Sequence, residues 1–286
     1  MKSFADYKSD AQNQITMANG AFYPDILVQA CELYKPVLVY FEQLLKTSPS
    51  SEYLLKEITK LTQTWMRIQL LRVFRKYVSP DTSVEMLKSK KKIPMVCKTF
   101  GKDFRQINLV QKKFNERPLP DEALCAILWE YKDRGQKGYS LTENFFDMFQ
   151  SKFPNYSIEG PKRAGADVQL VNIFDDYPNP TRPVDFVIRD EQKHVLAIGL
   201  ARYDSDRGGA QEDDRTGGYN NCAKEVLAYT TKHNLKTKIV FLNDGPGLLL
   251  GSMWDDYSKL ESIDSRIMVL TLRMVNERLT KEWLNL

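Results

Sequence analysis

Residues 183–204, PVDFVIRDEQKHVLAIGLARYD, hold one acid placed to do chemistry and two positions where partners for it are expected. Asp185 enters an apolar run, Asp190, Glu191 and Gln192 make a polar turn, and the returning run HVLAIGLAR carries Gly199 and Ala201. Two apolar runs about a short polar turn read as a β-hairpin, and folding it brings residues 198–201 opposite Asp185. Side chains two apart on a strand share a face, so 199 and 201 form one set. An acid at 185 facing an acid at 199 and a lysine at 201 would seat Mg²⁺, because hard divalent cations take oxygen ligands and neutralise charge developing at phosphorus. Position 199 is instead glycine and 201 alanine. Glycine inside a strand marks a bulge, a close approach or a lost side chain.

Other groups bear on the same chemistry. Cys31, Cys97, Cys125 and Cys222 are scattered, and the two histidines, His194 and His233, lie far apart. That spacing offers neither a zinc site nor a disulfide framework, which leaves acid–base and metal work to carboxylates. Asp167 is a candidate second ligand, or else a solvated acid at a strand end. Asp185 has its own bland reading as a strand cap, and Glu159 stands between the catalytic and the structural reading. Glu143 completes an S-x-x-E capping box with Ser140. Asp204, Glu212, Asp213 and Asp214 could supply a displaced carboxylate from a loop.

The elements that must position these groups change character along the chain. Residues 26–45 and 50–78 carry apolar side chains at three- and four-residue spacing, which predicts amphipathic helices. Lys88, Lys90, Lys91, Lys92, Lys98, Lys102, Arg105, Lys112 and Lys113 follow, with Phe100, Phe104 and Phe114 interleaved. This stretch reads as a solvated face or as a contact to phosphate oxygens, Lys90 and Lys91 first among them. A polar, glycine-containing connection sets a boundary near residue 135. Beyond it a helix over 141–153, stopped by Pro154, leads into strands over 156–159, 167–174, 184–189, 194–202, 238–242 and 267–273. Helices over 222–233, 248–261 and 276–283 alternate with the later strands. The expected architecture is α/β (α+β): a helical N-terminal region over 1–135, given to DNA contact and dimerisation, and a mixed sheet flanked by helices over 136–286.

The chain has 286 residues, 42% of them hydrophobic, and a formal net charge of +4. These values describe an ordinary soluble domain pair whose mild basicity permits a nucleic-acid partner. No apolar run approaches the roughly 20 residues needed to span a bilayer. The N-terminus, MKSFADYKSDAQNQ, is unlike a secretory leader, so a cytoplasmic location without a membrane partner is expected.

The hairpin, its flanks and the order of elements over residues 138–275 resemble the PD-(D/E)XK nuclease superfamily. Pro183-Val184-Asp185 looks like the PD half with one residue inserted, and Gly199-Leu200-Ala201 falls where the (D/E)XK half belongs. Gly160-Pro161 followed by Ala164-Gly165-Ala166-Asp167 is similar to the approach to the core in type II restriction endonucleases. The charged, glycine-punctuated segment 202–221 is similar to the loop that follows their catalytic strand. The resemblance implies a site-specific, Mg²⁺-dependent endonuclease acting on double-stranded DNA as a homodimer or as one subunit of a heterodimer. It implies Asp185, Gly199, Arg202 and Glu159 as catalytic positions, with Arg202 or Lys224 replacing the motif lysine, and Asp185 and Asp167 as metal ligands. Arg207, Gln211, Arg215, Asn220 and Asn221 have side chains that read bases in the major groove. The departures at 199 and 201 imply an impaired or nicking chain, or a catalytically inactive DNA-binding protein of the same fold. A non-nuclease α/β protein with a coincidental hairpin is the third alternative.

Overall fold

A computed structural model of the chain describes residues 1–286 except 19, 163–164, 206–209 and 286, and the side chains of the described residues other than 133–135 and 210–216. The chain divides into two units, residues 1–19 with 135–286, and residues 20–134. The boundary expected near 135 is present, but the first 19 residues belong to the α/β unit rather than to the helical one. Hydrophobic burial decides this. After a 3-10 turn over Phe4–Asp10 comes α1 (Ala11–Gln14), and Phe4, Tyr7, Ala11 and Ile15 join the core of the α/β unit. Phe4 stacks on Trp254 at a centroid distance of 4.3 Å, and its N–H donates to Glu261 Oε1 at 2.7 Å.

The helical unit contains α2 (Ile26–Thr47), α3 (Ser51–Lys60), α4 (Thr64–Tyr77), α5 (Val84–Leu87), α6 (Ile93–Phe100), α7 (Ile107–Asn115) and the start of α8 (Glu122–Lys152). The three- and four-residue apolar spacing lands on one core, with Val37, Leu38 and Phe41 of α2 buried with Leu70, Leu71 and Phe74 of α4. Ser50 and Ser83 accept from the N–H groups of Tyr53 and Met86, each at 3.1 Å, and so cap α3 and α5. Phe104 and Phe114 are buried in this core and Phe100 packs against it. The aromatics between the lysines are therefore packing residues and not nucleic-acid contacts.

In the α/β unit, β1 (Ser157–Glu159), β4 (Phe186–Arg189), β5 (Val195–Tyr203), β6 (Lys238–Asp244) and β7 (Ile267–Leu270) form one mixed sheet in the order β1-β4-β5-β6-β7. The first two junctions are antiparallel and the last two parallel. β2 (Val168–Gln169) and β3 (Pro183–Val184) make a separate antiparallel pair. Helices α9 (Ala210–Lys232), α10 (Met253–Glu261), α11 (Val275–Arg278) and α12 (Lys281–Asn285) complete the unit. The sheet is buried through Val187, Ile188, Ala197, Ile198 and the whole of β6 and β7.

Three local expectations change. The connection near 135 is helical, because α8 continues through Gly135 and Gly138 at a propensity cost of about 1 kcal/mol each; Ser140 and Glu143 therefore lie within a helix and do not start one. The segment after β5 is helical from residue 210 rather than from 222, and the acids at 212–214 in its first turns suit the positive end of the helix dipole. The strand expected over 167–174 is only two residues long and passes into a 3-10 turn over Leu170–Asn172. No helix among the described residues is long and apolar enough to cross a membrane.

Candidate metal and nucleic-acid site

Asp185 sits at a bend where the chain leaves β3 and enters β4. In the small sheet Val168 pairs with Val184, and extending that register by one position sets Asp167 across from Asp185. In the large sheet the β4–β5 ladder begins with Phe186 paired with Gly199, and Asp185 at the bend lies outside it. The bend holds itself in place. Asp185 N–H donates to Gly199 O at 2.9 Å, and the Asp185 carboxylate accepts from Ala201 N–H at 2.7 Å. Gly160 presses from the other side, where a Cβ would come 2.2 Å from Asp185 O. Only glycine permits that approach.

This register corrects the reading of Gly199. Residues directly opposite in an antiparallel pair share a face, so 199 shares the face of Phe186. A Cβ at 199 would lie 2.0–2.6 Å from three atoms of the Phe186 ring. That ring is fully buried against Phe145 and Phe146, at centroid distances of 5.1 and 6.1 Å, and has nowhere to go. Gly199 is the floor beneath an aromatic side chain, not the vacated place of a metal ligand. Along β5, Leu200 and Arg202 point to the face opposite Gly199.

The two acids assigned to the metal are brought together. Burial pushes the Asp185 carboxyl above the ordinary carboxylate range; the Ala201 N–H opposes this, and the negative charge of Asp167 adds to the rise. Asp185 is half-buried and Asp167 exposed. Two opposed carboxylates at the edge of solvent repel each other, and a cation between them relieves the repulsion. Among the described residues no three His, Cys, Asp or Glu side chains gather into a metal-binding group. The donor set is thus a pair of hard oxygen ligands. It fits Mg²⁺, which is held by one or two carboxylates together with waters and substrate phosphate.

The direction of Arg202 is fixed. Its Nε donates to Asp204 Oδ1 at 2.8 Å, and Asp204 is buried, with its N–H on Asp244 O at 2.8 Å and its carbonyl accepting from Gly247 N–H at 2.8 Å. Tyr219 of α9 closes the group from above. Its ring packs on Phe241 at 4.9 Å, and its hydroxyl feels the charges of Arg202, Asp185 and Asp204, while burial raises its pKa. Neither Asp204 as the anchor of Arg202 nor Tyr219 was legible beforehand, since both fell in what read as a loop.

The remaining candidates scatter. Glu159, on the edge strand, accepts with its carboxylate from Arg189 Nε at 3.1 Å. Asn220 and Asn221 are on α9, the first half-buried and the second exposed. Gln211 and Arg215 are on the first turns of α9 with side chains outside the described set, and Arg207 lies outside the described residues. Lys90 and Lys91 are exposed in a 3-10 turn over Lys90–Lys92 in the helical unit. Compared with known proteins, the chain matches no family model, no curated protein and no solved structure.

Proposed function

We propose that the chain is a Mg²⁺-dependent endonuclease of the PD-(D/E)XK kind acting on duplex DNA, with Asp185 and Asp167 as the cation seat. The observation that carries this reading is the place of Asp185 at the bend between two sheets, with its carboxylate held by Ala201 N–H and the charge of Asp167 acting on it. The mixed order β1-β4-β5-β6-β7 and the hairpin that presents Asp185 agree with the resemblance in the sequence. Mg²⁺ bound there would supply a Lewis-acid contact to a phosphate oxygen and a water of lowered pKa. Asp185 holds its carboxylate in place through the Ala201 N–H, and Arg202, fixed by Asp204, offers a preorganised positive charge for a pentavalent phosphate. Duplex sites with two-fold symmetry suit a pair of such chains, or this chain with a related subunit.

Leu200 favours a second reading, a DNA-binding member of the same fold with little cleavage of its own. It stands one residue before Ala201, whose N–H holds the Asp185 carboxylate, and brings no oxygen to the seat. A supercoiled-plasmid assay in Mg²⁺ separates the readings. Nicking by the present chain that is lost in Asp185→Asn and Asp167→Asn supports the endonuclease. No product from the present chain, with product from Leu200→Glu, supports the inactive module. No product from any of these, with no binding to duplex DNA, overturns both.

A further inference from the structure

The helical unit holds a charge concentration that the Asp185 site does not use. Residues 86–115 contain nine Lys and Arg and a single acid, Asp103, a net charge of +8 in a chain whose total is +4. Lys90, Lys91, Lys92, Lys98 and Lys102 are exposed, and none has an ion-pair partner among the described residues. Folding arranges this. On α6, Ile93 and Val96 are buried and Cys97 and Phe100 half-buried, so Lys98 is left on the outer face between the lysines at either end of the helix. Like charges held this close without counter-charges destabilise the unit, and a polyanion removes that cost.

We infer that this face is a sequence-independent anchor for the phosphate backbone of duplex DNA. The inference rests on the reading of the chain as a protein that acts on DNA, and it adds a second contact surface remote in sequence from Asp185. The class of polyanion follows from what surrounds the lysines. A single strand is gripped by exposed aromatic rings on which bases stack, but Phe104 and Phe114 are interior here and Phe100 packs on the core. A membrane surface takes up a helix with a free apolar face, but the apolar face of α6 is already buried. What remains is a row of cations on a rigid support.

The test uses the full chain with Lys90, Lys91, Lys98 and Lys102 all changed to Glu, and a second variant with all four changed to Gln. The probes are two duplexes of unrelated sequence and equal length, a single strand of that length, and vesicles rich in phosphatidylserine. Each phosphate contact contributes about 0.9 to the slope of log affinity against log salt. The expected result is a slope lower by roughly 3–4 in either variant, equal on both duplexes, with unchanged thermal melting because the lysines are exposed. An unchanged slope, a loss confined to one duplex, or stronger binding to the single strand or the vesicles would overturn the anchor. Plasmid nicking by Asp185→Asn, whose lysines are intact, bears on the site alone. An unchanged slope in the lysine variants therefore sinks the anchor whatever the plasmid shows.

Discussion

The two units differ in charge, in periodicity and in where their information lies. Residues 20–134 contain 20 Lys and Arg against 13 Asp and Glu, a net of +7, while the rest of the chain has 21 against 24, a net of −3. The helical unit has its cations outside and a core assembled from contacts three and four residues apart. The α/β unit sets Asp185 and Asp167 at a junction of the consecutive strands β2 to β5. On the proposed function, the surface that would bind a polyanion and the acids that would work on it lie in different units. The division has a physical basis, since a cation seat needs a local excess of carboxylate and a phosphate anchor needs the reverse.

The widest contrast to break is the one across the β4–β5 register. Gly199→Glu places an unpaired carboxylate against the Phe186 ring, and burying such a group without a partner costs about 3–5 kcal/mol. Hydrogen exchange resolved by peptide should show protection lost across β4 to β7 and kept across α2 to α7. Leu200→Glu, at a half-buried position beside Asp185, should keep both. A Gly199→Glu protein as protected as the parent would show that the face assigned to 199 is wrong.

Next comes the N-terminal segment. Phe4→Ala removes a fully buried ring stacked on Trp254, a loss of about 3–5 kcal/mol for such a side chain, confined to the α/β unit. Phe22→Ala in the helical unit removes a ring that is 78% exposed, and urea titration should place it within about 0.5 kcal/mol of the parent. If Phe4→Ala destabilised the helical unit instead, the assignment of residues 1–19 would fall.

A pH effect separates the units further. An acid whose pKa is higher folded than unfolded binds more protons in the folded state, so stability declines as pH rises from the unfolded value through the folded one. Asp185 is such a group. The α/β unit should therefore carry a component of stability that weakens as pH climbs above the ordinary aspartate range, and Asp185→Asn, which still accepts from Ala201 N–H, should remove it. At neutral pH, Mg²⁺ without DNA should raise the melting temperature of the parent and not of Asp185→Asn. A parallel pH dependence in the two proteins would mean that Asp185 is not the group concerned.

The smallest effect lies at the hairpin turn. Lys193 has φ of 69°, a conformation that costs a non-glycine residue about 1 kcal/mol. Lys193→Gly should stabilise the α/β unit by up to about 1 kcal/mol, less the entropy that glycine adds to the unfolded chain. A clear loss in the urea midpoint would contradict the turn geometry.

How much could be read beforehand follows the same division. The helices over 26–45 and 50–78 were legible because an apolar residue every three or four positions states both the element and its inner face. The hairpin about Asp190 was legible from alternation and a polar turn, and its return strand is observed as β5. Legibility ended where a contact depended on counting across strands. Gly199 stood out as an anomaly in a strand, but its explanation is the Phe186 ring packed over it, and nothing adjacent in sequence announces that ring. Tyr219 was hidden for the opposite reason, because Gly217-Gly218 made a helix look like a loop.

The long amphipathic helices, the charge concentration in residues 86–115 and the hairpin could be read from the chain alone. These are properties of residues within a few positions of each other. The folded protein was needed to show that residues 1–19 belong to the α/β unit, that the charge of Asp167 acts on Asp185, and that Gly199 shares its face with Phe186. The physical reason is the period of two in a β-strand. A single step of register leaves every hydrophobic pattern almost intact but sends each side chain to the opposite side of the sheet, and only packing, here the fit of Phe186 over a glycine, selects between the two.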